Sequence, residues 1–126
     1  MGVRDSTLFF AMARKDFKAM RNMLDADAFD EEIFGFHAQQ AIEKALKAWL
    51  ASRDVMFPRT HDLSLLMNLL AEAGEDIEPF FDLIEYNAFA IQFRYENLAE
   101  DEEPLKRAAV VQRVGDLVTK VERMVC

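Results

Sequence analysis

IFGFHAQQAIEKALKAWL, residues 33–50, is the most informative stretch of the chain. On an α-helix, where each residue advances about 100°, its apolar residues cover an arc of about 200°. A surface helix of a globular protein needs a stripe of only about 100°. We therefore predict a central helix with neighbours on more than one side. The apolar arc consists of Phe34, Ala38, Ala41, Ile42, Ala45, Leu46, Ala48, Trp49 and Leu50.

The opposite arc of this helix is polar, but Ile33 and Phe36 interrupt it. A helix face that only contacts solvent would not be expected to contain a phenylalanine. We therefore expect this side of the helix to contact another part of the protein or a partner as well. Its polar members are His37, Gln40, Glu43, Lys44 and Lys47. Gly35, in the first turns, could allow a neighbouring helix to approach closely.

Four further stretches have helical spacing of apolar residues. The first covers residues 6–25. The second is capped by Thr60 or Asp62 and ends at Gly74. The other two cover residues 78–94 and residues 104–125, and Pro104 lies just inside the start of the last one. No stretch alternates with period two in the manner of a strand. The sequence predicts an all-α protein, a four- to five-helix up-and-down bundle that forms a single domain over residues 1–126.

The composition limits the class of function. The chain has 126 residues and a net charge of −8, which argues against broad attraction to nucleic acid or an anionic membrane. Cys126 is the only cysteine, so no intrachain disulfide can form. The apolar run 8–13 is too short for a signal segment or a membrane span, and we expect a cytoplasmic protein.

The sequence gives no sign of a metal or cofactor. It contains two histidines, four glycines, no HExxH motif and no glycine-rich phosphate loop. We therefore expect no cofactor and assign no catalytic residue.

Three groups of polar residues stand out and could together bind a phosphate or a nucleotide. They are His37, Gln40 and Lys44, then Thr60, His61 and Asp62, and then the run Phe93, Arg94, Tyr95 and Glu96. In the alternative interpretation, Lys44 and Arg94 only neutralise Asp16 or Glu43 and fix the packing of helices. His61 could likewise do no more than anchor a loop.

Asp16 lies within the apolar sector of the first helix. Either it sits at the edge of that sector and reaches solvent, or it is partly buried and needs a partner. We expect that partner to be Lys44 or Arg94. Asn87 lies on the apolar stripe of the fourth helix, one heptad before Arg94.

The motifs QQAIEKALKAWL at 39–50, THDL at 60–63 and FRYE at 93–96, in this order, resemble those of the HEPN family, the "higher eukaryotes and prokaryotes nucleotide-binding" domain. The segment ARKDFKAM, residues 13–20, fits the family's first helix. The resemblance covers nearly the whole chain. It implies a helical bundle that commonly forms homodimers, and small prokaryotic members are often encoded beside a minimal nucleotidyltransferase.

Other branches of the family are metal-independent ribonucleases, often toxins of toxin–antitoxin pairs. Their motif is an arginine followed by a histidine four to six residues later. Arg94 occupies the arginine position, but the histidine position falls on Ala99, Glu100 or Asp101. None of these side chains can replace histidine as a base at neutral pH, so the resemblance does not favour ribonuclease activity.

We therefore predict a non-catalytic HEPN-type module that binds a nucleotide or serves a minimal nucleotidyltransferase. The alternatives are a HEPN ribonuclease and a structural adaptor. The predicted ligand-binding residues are Lys44, His61, Arg94 and Tyr95, supported by Asp16, His37, Gln40 and Asn87. We expect a homodimer that uses the apolar residues left over on polar faces, which are Ile33, Phe36, Tyr86 and Phe93.

Overall fold

The computed structural model describes residues 3–90 and 104–125. All regular structure in these residues is helical, which confirms the all-α prediction. The helices are α1 (Val3–Arg21), α2 (Glu31–Ser52), α3 (Leu63–Glu72), a 3₁₀ segment (Glu78–Phe89) and α4 (Arg107–Val125). No helix within the described ranges is long and apolar enough to cross a membrane.

Helix α2 is the centre of the bundle, as its sequence predicts. It packs against each of the other four helical elements. Every residue of its apolar arc is at most 1% exposed. On the opposite arc, Glu43 and Lys47 are also buried, so the polar side of this helix does face other groups. A helix that is buried over most of its surface derives most of its stability from packing rather than from helix propensity.

The fourth element differs from its prediction, because it is a 3₁₀ helix rather than an α-helix. With three residues per turn, side chains three positions apart share a face. Its buried residues are accordingly Phe80, Leu83, Tyr86 and Phe89. An α-helical period, which the sequence predicted over residues 78–94, would instead bury Ala88 with Phe80 and Ile84, whereas Ala88 is exposed.

The predicted ends of the helices are mostly correct. Asp62 is the N-cap of α3, and its side chain accepts a hydrogen bond from the Ser64 amide. Gly74 follows α3 with a φ of 83°, a left-handed conformation that suits glycine. Helix α4 begins at Arg107, three residues later than the Pro104 start that the sequence indicated, and α1 ends at Arg21 rather than at residue 25.

Gly35 lets the 3₁₀ segment approach α2 closely. A Cβ atom at this position would lie 2.3 Å from Cδ1 of the Phe89 ring. The absence of a side chain therefore matters for packing, and it outweighs the loss of helix propensity that glycine causes, about 1 kcal/mol relative to alanine.

The predicted dimer surface has to be corrected at Tyr86. This residue is 6% exposed and stacks on Phe89 with the ring centres 6.5 Å apart, so it belongs to the core of the chain. Burial is also the main reason why its pKa rises to about 12. Ile33 and Phe36 are half-buried, and Phe93 lies outside the described residues.

Candidate functional site

A fully buried carboxylate, that of Glu43 on α2, organises the candidate site. Its Oε1 accepts hydrogen bonds from Gln39 Nε2 at 3.2 Å and from His61 Nδ1 at 2.9 Å. Its Oε2 accepts from the Nζ atoms of Lys44 and Lys47, both at 3.0 Å. Both oxygens are thus fully used, as a buried carboxylate requires. We call Glu43 and these four partners the Glu43 cluster.

The Glu43 cluster keeps its carboxylate ionised. Burial alone would raise the pKa of Glu43, but the hydrogen bonds from Lys44, Lys47 and His61 outweigh it and lower the pKa to about 2. An ionised carboxylate only accepts hydrogen bonds. His61 must therefore donate through Nδ1–H, which leaves Nε2 for another partner.

His61 is the member of the Glu43 cluster that reaches solvent. Its side chain is 69% exposed, whereas those of Lys44 and Lys47 are 14% and 8% exposed. Its main chain is fixed as well, because Gln39 Nε2 donates to the His61 carbonyl oxygen at 3.0 Å. Gln40 in turn donates to Gln39 Oε1 at 2.7 Å. The imidazole is therefore anchored from beneath and open on its outer side.

The start of α3 lies beside His61, but its first amides already have partners. The Ser64 amide donates to Asp62 Oδ1 at 3.0 Å, and the Leu63 amide donates to Asn87 Oδ1 at 2.9 Å. Asn87 Nδ2 also donates to Asp62 Oδ1 at 3.0 Å. The Leu63 and Ser64 amides are therefore not available to a phosphate group.

Asp62 places a negative charge on the same surface. Hydrogen bonds from the side chains of Ser64 and Asn87 lower the pKa of this exposed carboxyl. It therefore remains a carboxylate at neutral pH and offers hydrogen-bond acceptors to a ligand.

These side chains border an open depression of about 580 Å³. Its lining consists of Thr60, His61, Asp62, Ser64, Asn87 and Ala90. Ala90 is the last described residue before the segment 91–103. The predicted site residues Arg94 and Tyr95 follow in that segment and lie outside the described residues.

Lys44 was one of the two partners predicted for Asp16, and this prediction was wrong because Lys44 donates to Glu43 instead. Asp16 Oδ1 instead contacts His37 Nδ1 at 2.9 Å, and the side chains are 22% and 25% exposed. This pair joins α1 to α2. The structure therefore confirms the interpretation in which the Asp16 carboxylate is partly buried and has a partner, rather than the one in which it reaches solvent.

The structure brings together part of the predicted site. Lys44 and His61 share the Glu43 carboxylate, Gln40 reaches it through Gln39, and Asn87 holds Asp62 next to His61. His37 and Asp16 form a separate pair.

Sequence reasoning missed the roles of Gln39 and Lys47. It named Glu43 as a possible counter-ion of Lys44, and the structure shows that contact. Gln39, Glu43 and Lys47 are spaced four residues apart and therefore share one side of α2. That spacing is the signal that would have identified them.

No group of histidine, cysteine and acidic residues suited to a metal ion occurs in residues 3–90 and 104–125. The Glu43 carboxylate already accepts four hydrogen bonds within the Glu43 cluster, which leaves it no free lone pair for a metal ion.

The fold and this site define a small helical bundle with a buried, cation-rich charge cluster beneath one open surface. The family model of the HEPN domain matches residues 7–124. The chain therefore belongs to the HEPN family. No curated protein and no solved structure is significantly similar to it.

Proposed function

We propose that this HEPN protein binds a nucleotide at the surface of the Glu43 cluster and works as a binding subunit rather than as a catalyst. The observation that carries the proposal is that two nearly buried lysines share the Glu43 carboxylate, which also contacts the exposed His61. Glu43, Lys44 and Lys47 together leave one positive charge in excess. A phosphate group at the surface would balance it.

The polar groups of His61 and Asp62 favour a ligand that has hydroxyl groups in addition to phosphate. With Nδ1–H donating to Glu43, Nε2 of the neutral ring accepts a hydrogen bond from a hydroxyl group, and it donates to an anionic oxygen only when the ring takes up a second proton on binding. The Asp62 carboxylate repels phosphate but accepts hydrogen bonds from hydroxyl groups. A ribose phosphate supplies both types of group, so a nucleotide fits this surface better than inorganic phosphate does.

The family resemblance adds Arg94 and Tyr95 to the proposed binding residues. Arg94 follows Ala90, which borders the depression, by four residues. Its guanidinium would contribute a second phosphate-binding group. This part of the proposal rests on the sequence motif alone.

Thermal unfolding with nucleotides tests the proposal. At ten times the dissociation constant, a ligand stabilises a protein by about 1.4 kcal/mol, which raises the melting temperature of a chain of this size by roughly 5 °C. We expect such a rise with at least one nucleoside triphosphate or diphosphate at millimolar concentration. His61→Ala and Arg94→Ala should remove it, whereas His37→Ala should retain it.

Two results would contradict the proposal. One is the absence of any rise with the common nucleotides, and the other is an unchanged rise in His61→Ala. The His37→Ala control loses the other histidine–carboxylate pair, so it separates the loss of ligand binding from a general effect of losing a histidine–carboxylate contact.

We also propose that the protein works as a homodimer and, by analogy with small family members, beside a minimal nucleotidyltransferase. The half-buried Ile33 and Phe36 on α2 are the described residues that support the dimer. Sedimentation at tens of micromolar should give twice the mass of the chain. A strictly monomeric mass would overturn the dimer, and Phe36→Glu should produce a monomer if this face is the interface.

A further inference from the structure

A second surface, away from His61, carries a concentration of positive charge. A groove of about 300 Å³ lies between α1 and α4. Four of the nine residues that border it are basic and come from α1, and these are Arg14, Lys15, Lys18 and Arg21. Among its described lining residues, Glu122 on α4 is the only acidic one. We call this surface the α1 groove.

Within the described parts of the chain, the four cations of the α1 groove have no acidic partners. None of them forms an ion pair or donates a side-chain hydrogen bond to another residue of those parts. This contrasts with the buried lysines of α2, both of which contact Glu43. The charges of the groove are therefore available to a ligand.

Two of these cations are held in place by aromatic rings. The Arg14 guanidinium lies 6.0 Å from the ring centre of Phe10, and the Arg21 guanidinium lies 5.4 Å from that of Phe17. Phe10 is buried and Phe17 half-buried, so the rings support the guanidinium groups from beneath and are not free to stack on a base. Guanidinium groups held in this way lose less side-chain entropy when they bind an anion.

The charge of the groove is opposite to that of the chain as a whole. Helix α1 contains five basic and two acidic residues, whereas the protein has a net charge of −8. The rest of the chain, outside α1, therefore carries a strongly negative net charge. Such a contrast confines anion binding to one face and repels anions elsewhere.

The spacing of the cations favours an extended anion. From Arg14 to Arg21 the helix rises roughly 10 Å, at 1.5 Å per residue. Four charges over this length match several consecutive phosphate groups better than one. The volume of about 300 Å³ is at the lower end of ligand pockets, which suits a phosphate chain lying along the groove.

We propose that the α1 groove is a second anion site, which binds a chain of consecutive phosphate groups. The chain can be a linear polyphosphate or the phosphodiester backbone of a single-stranded nucleic acid, because both present negatively charged phosphate oxygens one after another along a chain. Base stacking takes no part, so binding is independent of base sequence. The site does not depend on the nucleotide site proposed at His61.

Calorimetric titration tests this proposal with two probes, inorganic tripolyphosphate and a single-stranded oligonucleotide of mixed sequence. The proposal requires that the wild type binds at least one of them at low salt. Two variants should weaken that binding about tenfold or more, since each removes two charge-assisted contacts. The variants are Lys15→Gln with Lys18→Gln, and Arg14→Gln with Arg21→Gln.

The matched control is Arg59→Gln with Lys106→Gln. It removes two exposed positive charges that lie outside the groove, and it should bind like the wild type. If the control weakens binding as much as the groove variants do, only the net charge matters and the proposal is wrong. Absence of binding to both probes would also overturn it.

The salt dependence and the choice of probe supply further criteria. For an oligonucleotide, the slope of log affinity against log salt should decrease by about 0.7 for each phosphate group that the variant no longer neutralises. Binding of the oligonucleotide alone identifies a nucleic-acid backbone as the ligand, and binding of tripolyphosphate alone identifies a free phosphate chain. His61→Ala should bind both probes normally, which separates this site from the nucleotide site.

Discussion

The protein contains two histidine–carboxylate pairs, and both use Nδ1 at 2.9 Å from a carboxylate oxygen. In the first pair, His37 and Asp16 are both about three-quarters buried and have each other as their only side-chain hydrogen-bond partners among the described residues. In the second pair, Glu43 is fully buried and His61 is mostly exposed. Two lysines and a glutamine also bind the Glu43 carboxylate.

Identical contact geometry can therefore serve different purposes in one chain. The His37–Asp16 pair joins two helices, and no further cation binds its carboxylate within the described residues. The His61–Glu43 pair joins a surface imidazole to a buried cationic centre. The surroundings of the carboxylate, rather than the contact itself, are the reason why we place the proposed ligand site at the second pair.

The largest expected effect is that of Glu43→Gln. The substitution keeps the shape of the side chain but leaves Lys44 and Lys47 without a carboxylate. Removing one partner of a buried ion pair costs about 3–5 kcal/mol. Urea denaturation at neutral pH should show a loss of this size. Glu72→Gln, at an exposed position on α3, is the control and should change stability by about 0.5 kcal/mol at most.

Acid should abolish most of this difference between wild type and Glu43→Gln. The pKa of Glu43 falls from 4.5 to about 2 in the folded protein. A lowered folded-state pKa contributes stability that is fully present above pH 4.5 and is lost as the pH falls towards 2. The contribution is about 3 kcal/mol. Denaturation at a series of pH values from about 5.5 to about 3 should show the two proteins converging, and a constant difference would contradict the assignment.

Arg107 extends the comparison to a buried cation whose hydrogen-bond partners are main-chain carbonyls rather than a carboxylate. It is 7% exposed, and it donates to the carbonyl oxygens of Met23 and Phe29, both at 2.7 Å. Arg107→Met should cost about 2 kcal/mol, because it leaves these carbonyls without their charged donor. Chemical denaturation measures this loss. A cost as large as that of Glu43→Gln would mean that pairing with a carboxylate makes no special contribution.

The smallest expected effect is that of Asp16→Asn. The pair is partly exposed and has no second cation among the described residues, so the loss should be about 1 kcal/mol or less. A double-mutant cycle with His37→Gln measures the coupling between the two side chains. A coupling energy that equals the cost of Glu43→Gln would remove the distinction between the two pairs.

The central helix could be predicted from the sequence because its apolar arc is wide enough to require burial on several sides. Asp62 was one of the two caps predicted for α3, and the structure selects it over Thr60. The role of Gly35 in close packing was also predicted correctly. The 3₁₀ segment was missed because apolar residues near 80–89 fit both helical periods. Only the packing of Phe89 against Gly35 and of Phe80 against Trp49 shows which period the chain adopts.

The site was harder to predict than the fold. Lys44 and His61 were identified because they are polar residues at unexpected places. Glu43 was considered only as a possible counter-ion of Lys44. Its contact with His61 was missed because a glutamate on a polar arc resembles many solvated glutamates. Arg107 was also missed, since the partners of its side chain are main-chain carbonyls of the loop between α1 and α2, and these have no sequence signature.

The proposed nucleotide site is tested most directly by nitrogen NMR of the imidazole rings during a nucleotide titration. The chain contains two histidines, so each ring can be assigned by one substitution. We predict that His61 carries its proton on Nδ1 in the neutral ring and that nucleotide shifts its Nε2 signal while the His37 signals remain in place. A shift confined to His37, or no shift in either ring at saturating nucleotide, would contradict the site.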